Sequence, residues 1–349
     1  MKIAIIGGGF YGVYFAYKLS EYNNIKIDLF EKNSSILSET AISNQYRLHT
    51  GYHYPRSYDT IYQTILGFKK FKKEFKKFLY FPKKNFYLIH SKSLVSFKEY
   101  KNTFKKFNLN FKEINKKKIK DYININEIEG VLNTEEGVIL LESLFYFLKK
   151  NISKKIKIIN SKKITNLDST SGKVYSEKNI FNGYDYILNT TYTDPNLGLD
   201  ENKFNIKYEL TGMVRLKNPY KNQIGLTIMD GNFCSLYPQN NIYSTVSSVK
   251  FTPIFKSNLF DKVIKKRKKV NKDFAIKNIL NDASKYIKFP KNFSEVSLIL
   301  GNKVKLKRDI NDTRFSMIKQ NKKVISILCG KLDAVSIISD EIKKILFSN

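Results

Sequence analysis

Fourteen consecutive residues, Asn44 to Ser57, read NQYRLHTGYHYPRS and bring together Arg47, His49, His53 and Arg56. The whole chain holds three histidines, and six arginines against 56 lysines, so this stretch stands apart in its side-chain chemistry. Histidine exchanges a proton near neutral pH, and arginine presents fixed donors to anions. Such groups suit a site where a proton is removed or negative charge develops. The bland alternative is a loop in which Arg47 and Arg56 pair with carboxylates and His53 is a satisfied structural residue. His90, on an expected strand away from any motif, reads as structural.

A second group of residues has a chemical spacing. Gly7, Gly9 and Gly12 form G-x-G-x-x-G in IAIIGGGFYGVYFAYKL, directly after an apolar run and before an amphipathic one. Gly7 permits a tight turn, Gly9 lets backbone approach a pyrophosphate, and Gly12 allows close contact between helix and strand. The helix start contributes unpaired N–H groups and positive dipole. Glu31 closes the next apolar run, at the distance of a ribose-binding acid. This pattern predicts dinucleotide binding.

These residues need elements to hold them. Strands are expected at Lys2–Ile6 and 25–30, with a helix over 10–22 between them. Ser57 can cap a helix reaching Phe78, with Ile61, Ile65, Phe68, Phe71, Phe75 and Phe78 on its buried stripe. Further strands are expected at 85–91, 127–133, 155–159, 173–176 and 184–189, with helices at 93–107 and 140–151. Alternation over 204–249 predicts an antiparallel sheet. Helices at 259–266 and 273–286, strands near 296–300 and 324–328, and a last helix after Gly330 complete the chain. The lysine-rich 265–272 reads as a connection between helices. Asp230, Ser235 and Tyr237 fall between apolar positions, facing either a polar pocket or solvent.

With these motifs in view, the N-terminal stretch through Glu31 and Lys32 resembles the fingerprint of the two-dinucleotide-domain flavoproteins. LHTGYHYP (48–55) resembles the IHAGIYYP-type segment of FAD-dependent 2-hydroxyacid oxidases, notably the L-2-hydroxyglutarate oxidase group, in the D-amino-acid-oxidase-like superfamily. YDYILNTTYTDPN (184–196) resembles the strand and turn by which the chain returns past the cofactor. VISILCGKLDAVSIISDEI (324–342) resembles a closing strand–Gly–helix, its GKL similar to FAD-dependent glycerol-3-phosphate dehydrogenases. The resemblance implies an α/β fold: a Rossmann-like FAD-binding domain (1–80, 139–203 and 305–349) and an α+β substrate domain on an antiparallel sheet (81–138 and 204–304). It implies FAD as cofactor, contacted by Gly7, Gly9, Phe10, Tyr11, Gly12, Glu31, Lys32, Arg47, His49, Gly51, Thr190, Gly330, Lys331 and Leu332. His49 would lie near the flavin, Gly51 would give the backbone room to pass the ring, and some relatives attach flavin covalently through this region. Catalytic candidates are His49, Arg47 and Arg314, the last clamping a substrate carboxylate ahead of Arg215 and Arg308.

The implied activity is hydride transfer from a carbon bearing C–N or C–O to flavin N5. The substrate would be an amino acid, hydroxy acid or sugar derivative, with oxygen or an electron carrier as acceptor. Alternatives are an RNA-modifying flavoprotein using the basic surface, a nicotinamide-dependent dehydrogenase, and a silent flavin-fold scaffold. The net charge of +31 comes almost wholly from lysine spread over helix faces, as in FKKFKKEFKKF (68–78), so no specific nucleic-acid partner is expected. Cys234 and Cys329 supply neither a disulfide framework nor a metal cluster. The chain opens into a strand without a leader pattern, and no apolar run approaches the roughly 20 residues of a membrane span, so a cytoplasmic protein is expected.

Overall fold

The computed structural model describes residues 1–152, 155–291, 293–307 and 314–348; Arg308 lies outside them. Two sheets dominate. The first has six strands in the order Met317–Asn321, Val324–Leu328, Tyr186–Asn189, Lys2–Ile6, Lys26–Phe30 and Ile156–Ile159. All neighbours run parallel except the edge hairpin of Met317–Asn321 with Val324–Leu328. Ile3, Ala4 and Ile5 of the first strand are wholly buried, as expected of a parallel strand covered on both faces.

The helices Phe10–Leu19, Tyr58–Phe75, Leu141–Asn151 and Val335–Phe347 share one apolar cluster with this sheet. Phe68, Phe71 and Phe75 of the long helix are buried there, each worth about 1.5–3 kcal/mol. Ile65 is only half-buried. Ser57 begins this helix, but its hydroxyl meets Thr60 Oγ1 at 2.7 Å and caps no backbone N–H.

The second sheet has nine strands drawn from residues 84–134 and 206–306. It is antiparallel apart from Lys84–His90, which runs parallel to Ile224–Met229. Its long strand Ile206–Lys217 pairs with Ser297–Leu306 through ten register pairs. The helix Lys272–Ala283 packs on the same sheet, and its Ile279 and Ala283 join that sheet's own core. Lys265–Arg267 belong to a helix, Phe260–Arg267, and Asn271 caps the next by accepting Phe274 N–H at 3.0 Å.

A three-stranded sheet, with Gly137–Ile139 between Arg47–Leu48 and Leu79–Tyr80, ties the NQYRLHTGYHYPRS loop to the chain leaving the large sheet. That short register sets Arg47 opposite Val138, and so beside whatever precedes Gly137.

Candidate active site

One cavity of about 810 Å³ runs from the glycine turn, along the NQYRLHTGYHYPRS loop, to the face of the nine-stranded sheet. It opens where the strand order of the parallel sheet reverses, between the carboxyl ends of Lys2–Ile6 and Tyr186–Asn189, the usual ligand position in such sheets.

At the glycine end, each motif position has its own geometry. Gly7 has φ +104°, and a Cβ there would sit 2.9 Å from the Thr190 carbonyl oxygen. A Cβ on Gly12 would lie 1.9 Å from the Gly7 oxygen, so helix and turn could not approach as they do. A Cβ on Gly9 meets nothing within 4 Å and would project into open space. Gly9 is thus the position whose missing side chain leaves room for a ligand. Thr190 stands behind the turn, its hydroxyl donating to the carbonyls of Ile6 or Gly7, both at 2.9 Å.

Glu31 braces the same turn. Its Oε2 accepts Gly8 N–H at 2.8 Å and its Oε1 accepts Asn33 N–H at 2.8 Å. Each oxygen keeps a second lone pair for a ribose hydroxyl at the cavity wall. Lys32 lines the same end and pairs with Glu39 at 3.6 Å on a half-exposed surface. Phe10 lines the cavity and stacks on Phe145, with ring centroids 5.9 Å apart. The Tyr11 hydroxyl donates to the Lys331 carbonyl at 2.5 Å and lies 3.0 Å from Ser316 Oγ.

The middle of the cavity is organised by a residue the sequence left unmarked. Glu136 is 1% exposed. Its Oε2 accepts Arg47 Nε at 2.7 Å and the Tyr87 hydroxyl at 2.9 Å. Its Oε1 accepts Thr50 N–H at 3.2 Å and faces His49 Nδ1 at 3.3 Å. Although burial raises its carboxyl, the adjoining Arg47 and His49 win and hold it far below the usual carboxylate range. Arg47 Nη2 donates to Tyr87 Oη at 2.9 Å and Thr227 Oγ1 at 2.8 Å, and its guanidinium lies 4.0 Å from the Tyr237 ring centroid. Arg47 lines the cavity, and its charge is paired with the buried carboxylate of Glu136. Nη1 has no protein partner among the described residues.

His49 lines the cavity with its side chain 17% exposed. Burial lowers its pKa to about 4, against the pull of Glu136. It is a neutral imidazole at pH 7. The His53 ring lies 5.1 Å from it and is held well below the usual range by burial. Gly51 departs from expectation. It takes φ +121° in a turn, its Cβ position faces Ile61 and Leu109 in an apolar cluster, and it does not line the cavity.

Behind His49 the Gly330–Asp333 turn completes the wall. A Cβ on Gly330 would collide with the Arg314 carbonyl, so this glycine serves close contact of two chain segments. Lys331 Nζ donates to Thr64 Oγ1 at 2.5 Å and sits 3.7 Å from the Tyr54 ring centroid. Burial lowers its pKa and raises that of Asp333. Leu332 lines the wall between them. The last helix begins at Val335, one turn beyond GKL.

Arg314 also lines the cavity, and its backbone N–H donates to Thr60 Oγ1 at 3.3 Å. Arg215 does not; it stacks on Tyr243 at 3.6 Å. Arg56 pairs with Asp230 at 2.5 Å, tying the histidine loop to the turn after Ile224–Met229. Asp230 and Ser235 face the cavity, whereas Tyr237 is the platform under Arg47. His90 is buried against Phe233, ring centroids 4.6 Å apart. Cys234 and Cys329 are free thiols. Among the described residues no helix is long and apolar enough to cross a membrane.

The residues that sequence reasoning missed are Glu136, Tyr87, Thr227, Tyr54 and Asp333. Glu136 stands in TEEG between two strands, where either glutamate reads as a solvated turn residue, and no periodicity separates it from Glu135.

Residues 5–66 match the model of the NAD(P)-binding Rossmann-like domain. Among curated proteins, the FAD-dependent monooxygenase FPY4 of Fusarium mangiferae is 25% identical over 259 residues, covering 72% of this chain. That alignment takes in 65% of FPY4, so the chain spans less than two thirds of this relative's length. The structure of L-alpha-glycerophosphate oxidase from Mycoplasma pneumoniae with FAD bound superposes at TM-score 0.73 and 19% identity, covering 99% of this chain and 94% of that one. Glycine oxidase from Geobacillus kaustophilus gives 0.76 at 10% identity, covering 98% and 93%. L-proline dehydrogenase from P. horikoshii gives 0.68 at 14%, covering 99% and 93%. A Rossmann-like nucleotide sheet joined to a second large sheet, end to end, is shared by all three. The chain thus shares its fold, a Rossmann-like nucleotide sheet joined to a second large sheet, with a glycerophosphate oxidase described with FAD bound and with a glycine oxidase.

Proposed function

We propose that the protein is a FAD-dependent oxidoreductase acting on a small polar substrate at a carbon that bears an amine or a hydroxyl. The observation that carries this reading is continuity: one cavity joins the glycine turn to a neutral histidine and to the polar face of the second sheet. The residues suit the cofactor. Gly9 leaves open space at the helix start, Glu31 keeps lone pairs for a ribose, and the volume falls in the upper part of the range for small-molecule sites. Solved neighbours of the same fold include a glycerophosphate oxidase described with FAD bound and a glycine oxidase. When bound, FAD supplies the two-electron acceptor for a hydride.

The chain's own residues do the rest. His49, uncharged at neutral pH, accepts the proton of the substrate hydroxyl or ammonium as the C–H bond breaks. Lys331 and Arg314 line the same space and hold an anionic substrate group. The walls formed by Leu332, Ile228 and Met229 keep water from the reacting carbon. Oxygen or an electron carrier returns the enzyme to its oxidised state.

The test is anaerobic titration of the purified, FAD-loaded protein with amino acids, 2-hydroxy acids and sugar or polyol phosphates. Bleaching of the yellow absorbance by one class supports the reading. A protein that takes up no FAD, or whose FAD no donor reduces, overturns it.

A further inference from the structure

Glu136 does not line the cavity, yet it is bonded to three polar members of the histidine loop, Arg47, His49 and Thr50. We propose that Glu136 is a positioning residue that fixes His49 in the tautomer carrying its proton on Nδ1, leaving Nε2 bare toward the cavity. The inference rests on the role given to His49 above and deepens it.

The argument is one of donors and acceptors. An ionised carboxylate only accepts hydrogen bonds. Glu136 is ionised, because Arg47 Nε lies 2.7 Å from Oε2 in a site almost closed to solvent. A neutral imidazole has one N–H, and the ring nitrogen facing Oε1 at 3.3 Å must be the one that carries it. Nε2 is then the basic edge, with no hydrogen-bond partner among the described residues, on a ring that lines the cavity. Four donors hold the carboxylate itself: Arg47 and Tyr87 on one oxygen, Thr50 N–H and His49 on the other. Arg47 is anchored in turn by Thr227 and Tyr237 of the large sheet. The imidazole's orientation is thereby referred to the second sheet, not to the loop that carries it.

This also accounts for a buried Arg47 that no solvent-side argument explains. Its charge makes Glu136 a permanent acceptor, which a lone buried glutamate would not be, since burial favours the protonated acid. The charged and titratable groups facing His49 are Glu136, Arg47, His53 and Lys331, with the Tyr54 ring at 5.7 Å. Among the described residues, only Glu136 is both anionic and within reach of Nδ1.

Glu136→Gln separates this from a merely structural role. A glutamine has one carbonyl oxygen, which Arg47 Nε claims. Its NH₂ then faces Thr50 N–H and His49 Nδ1, so the imidazole must accept there and move its proton to Nε2. The experiment is two-bond ¹H–¹⁵N correlation of histidine-labelled protein at pH 7, assigned with His49→Asn and His53→Asn, alongside steady-state kinetics. The expected wild-type signal is the Nδ1–H tautomer for His49. In E136Q it changes to Nε2–H, kcat falls about 10²–10⁴-fold as for loss of a general base or its tautomer, and KM stays within about threefold. Glu136→Asp, which restores a carboxylate, recovers the Nδ1–H signal and part of kcat. An Nε2–H signal for wild-type His49 overturns the proposal even if E136Q does not fold, as does an E136Q enzyme of wild-type kcat. Absence of FAD binding would strike the functional reading instead and leave the tautomer measurement to decide this one.

Discussion

His49 is held neutral by burial, and that has a thermodynamic signature. Its folded pKa of about 4 lies below the unfolded value near 6.5. The unfolded chain therefore binds the proton first, and the stability His49 contributes is complete above pH 6.5 and drains away as pH falls toward 4. The shift is worth about 3 kcal/mol over that window. Asp333, raised by burial, works in the opposite sense, so the comparison must be made within one background. Urea unfolding of the protein and of His49→Asn between pH 7 and 4.5 should differ in slope by about 1.4 kcal/mol per pH unit. Parallel curves would show that His49 titrates normally. At the same scale, Gly9 and Gly12 should separate. Gly9 has φ −72° and an empty Cβ direction, so Gly9→Leu should leave Tm within a few degrees. FAD affinity, read by equilibrium dialysis, should fall by about 30-fold or more, since the new side chain occupies cradle space at roughly 1.4 kcal/mol per tenfold loss. Gly12→Ala places a methyl against the Gly7 oxygen and should instead lower the urea midpoint, by about 1–3 kcal/mol of stability. A G9L protein that retains FAD would place the cofactor elsewhere.

Elements decide whether those residues meet. The glycine pattern, the acid at the end of the second strand and the Phe stripe of the long helix were legible, because each is set by spacing within one element. The strands Pro253–Ser257 and Met317–Asn321 were not, since both are half-exposed edges whose pattern is no stronger than that of a loop. Glu136 escaped for a different reason: its importance comes from a register, Arg47 opposite Val138, that joins segments about ninety residues apart. Gly67 shows how tight such joins are. It lies within Tyr58–Phe75, where alanine is favoured by about 1 kcal/mol in an isolated helix. Here a Cβ would sit 2.9 Å from the Asp333 carbonyl oxygen. Gly67→Ala should therefore destabilise, lowering the urea midpoint in spite of the propensity gain, and should weaken substrate saturation by displacing Lys331. A stabilised G67A with unchanged KM would show that helix and turn are free to part.

At the scale of the molecule, composition and fold answer different questions. The charge of +31 invites a polyanion partner, yet along the cavity Arg47 and His49 turn to Glu136 and Arg56 to Asp230. The lysines instead populate outer helix faces, and several spend their charge on local pairs: Lys70 with Asp340, Lys72 with Glu135, Lys101 with Glu113. Such exposed pairs contribute little each. What remains is a like-charged shell whose self-repulsion opposes the compact state. The Debye length shortens from about 30 Å at 0.01 M salt to about 10 Å at 0.1 M, so most of that repulsion is relieved over this interval. Tm should rise with NaCl from 0.01 to 0.3 M and then level off, by about 1–2 °C for each kcal/mol relieved. A dedicated polyanion site predicts something else: short RNA added in stoichiometric amount would raise Tm at 0.2 M salt, where diffuse attraction has collapsed. Screening alone gives a smooth rise with NaCl and no effect of RNA at that salt. A saturable RNA shift there would mean that some of these lysines form a docking surface and are not merely a solvated coat.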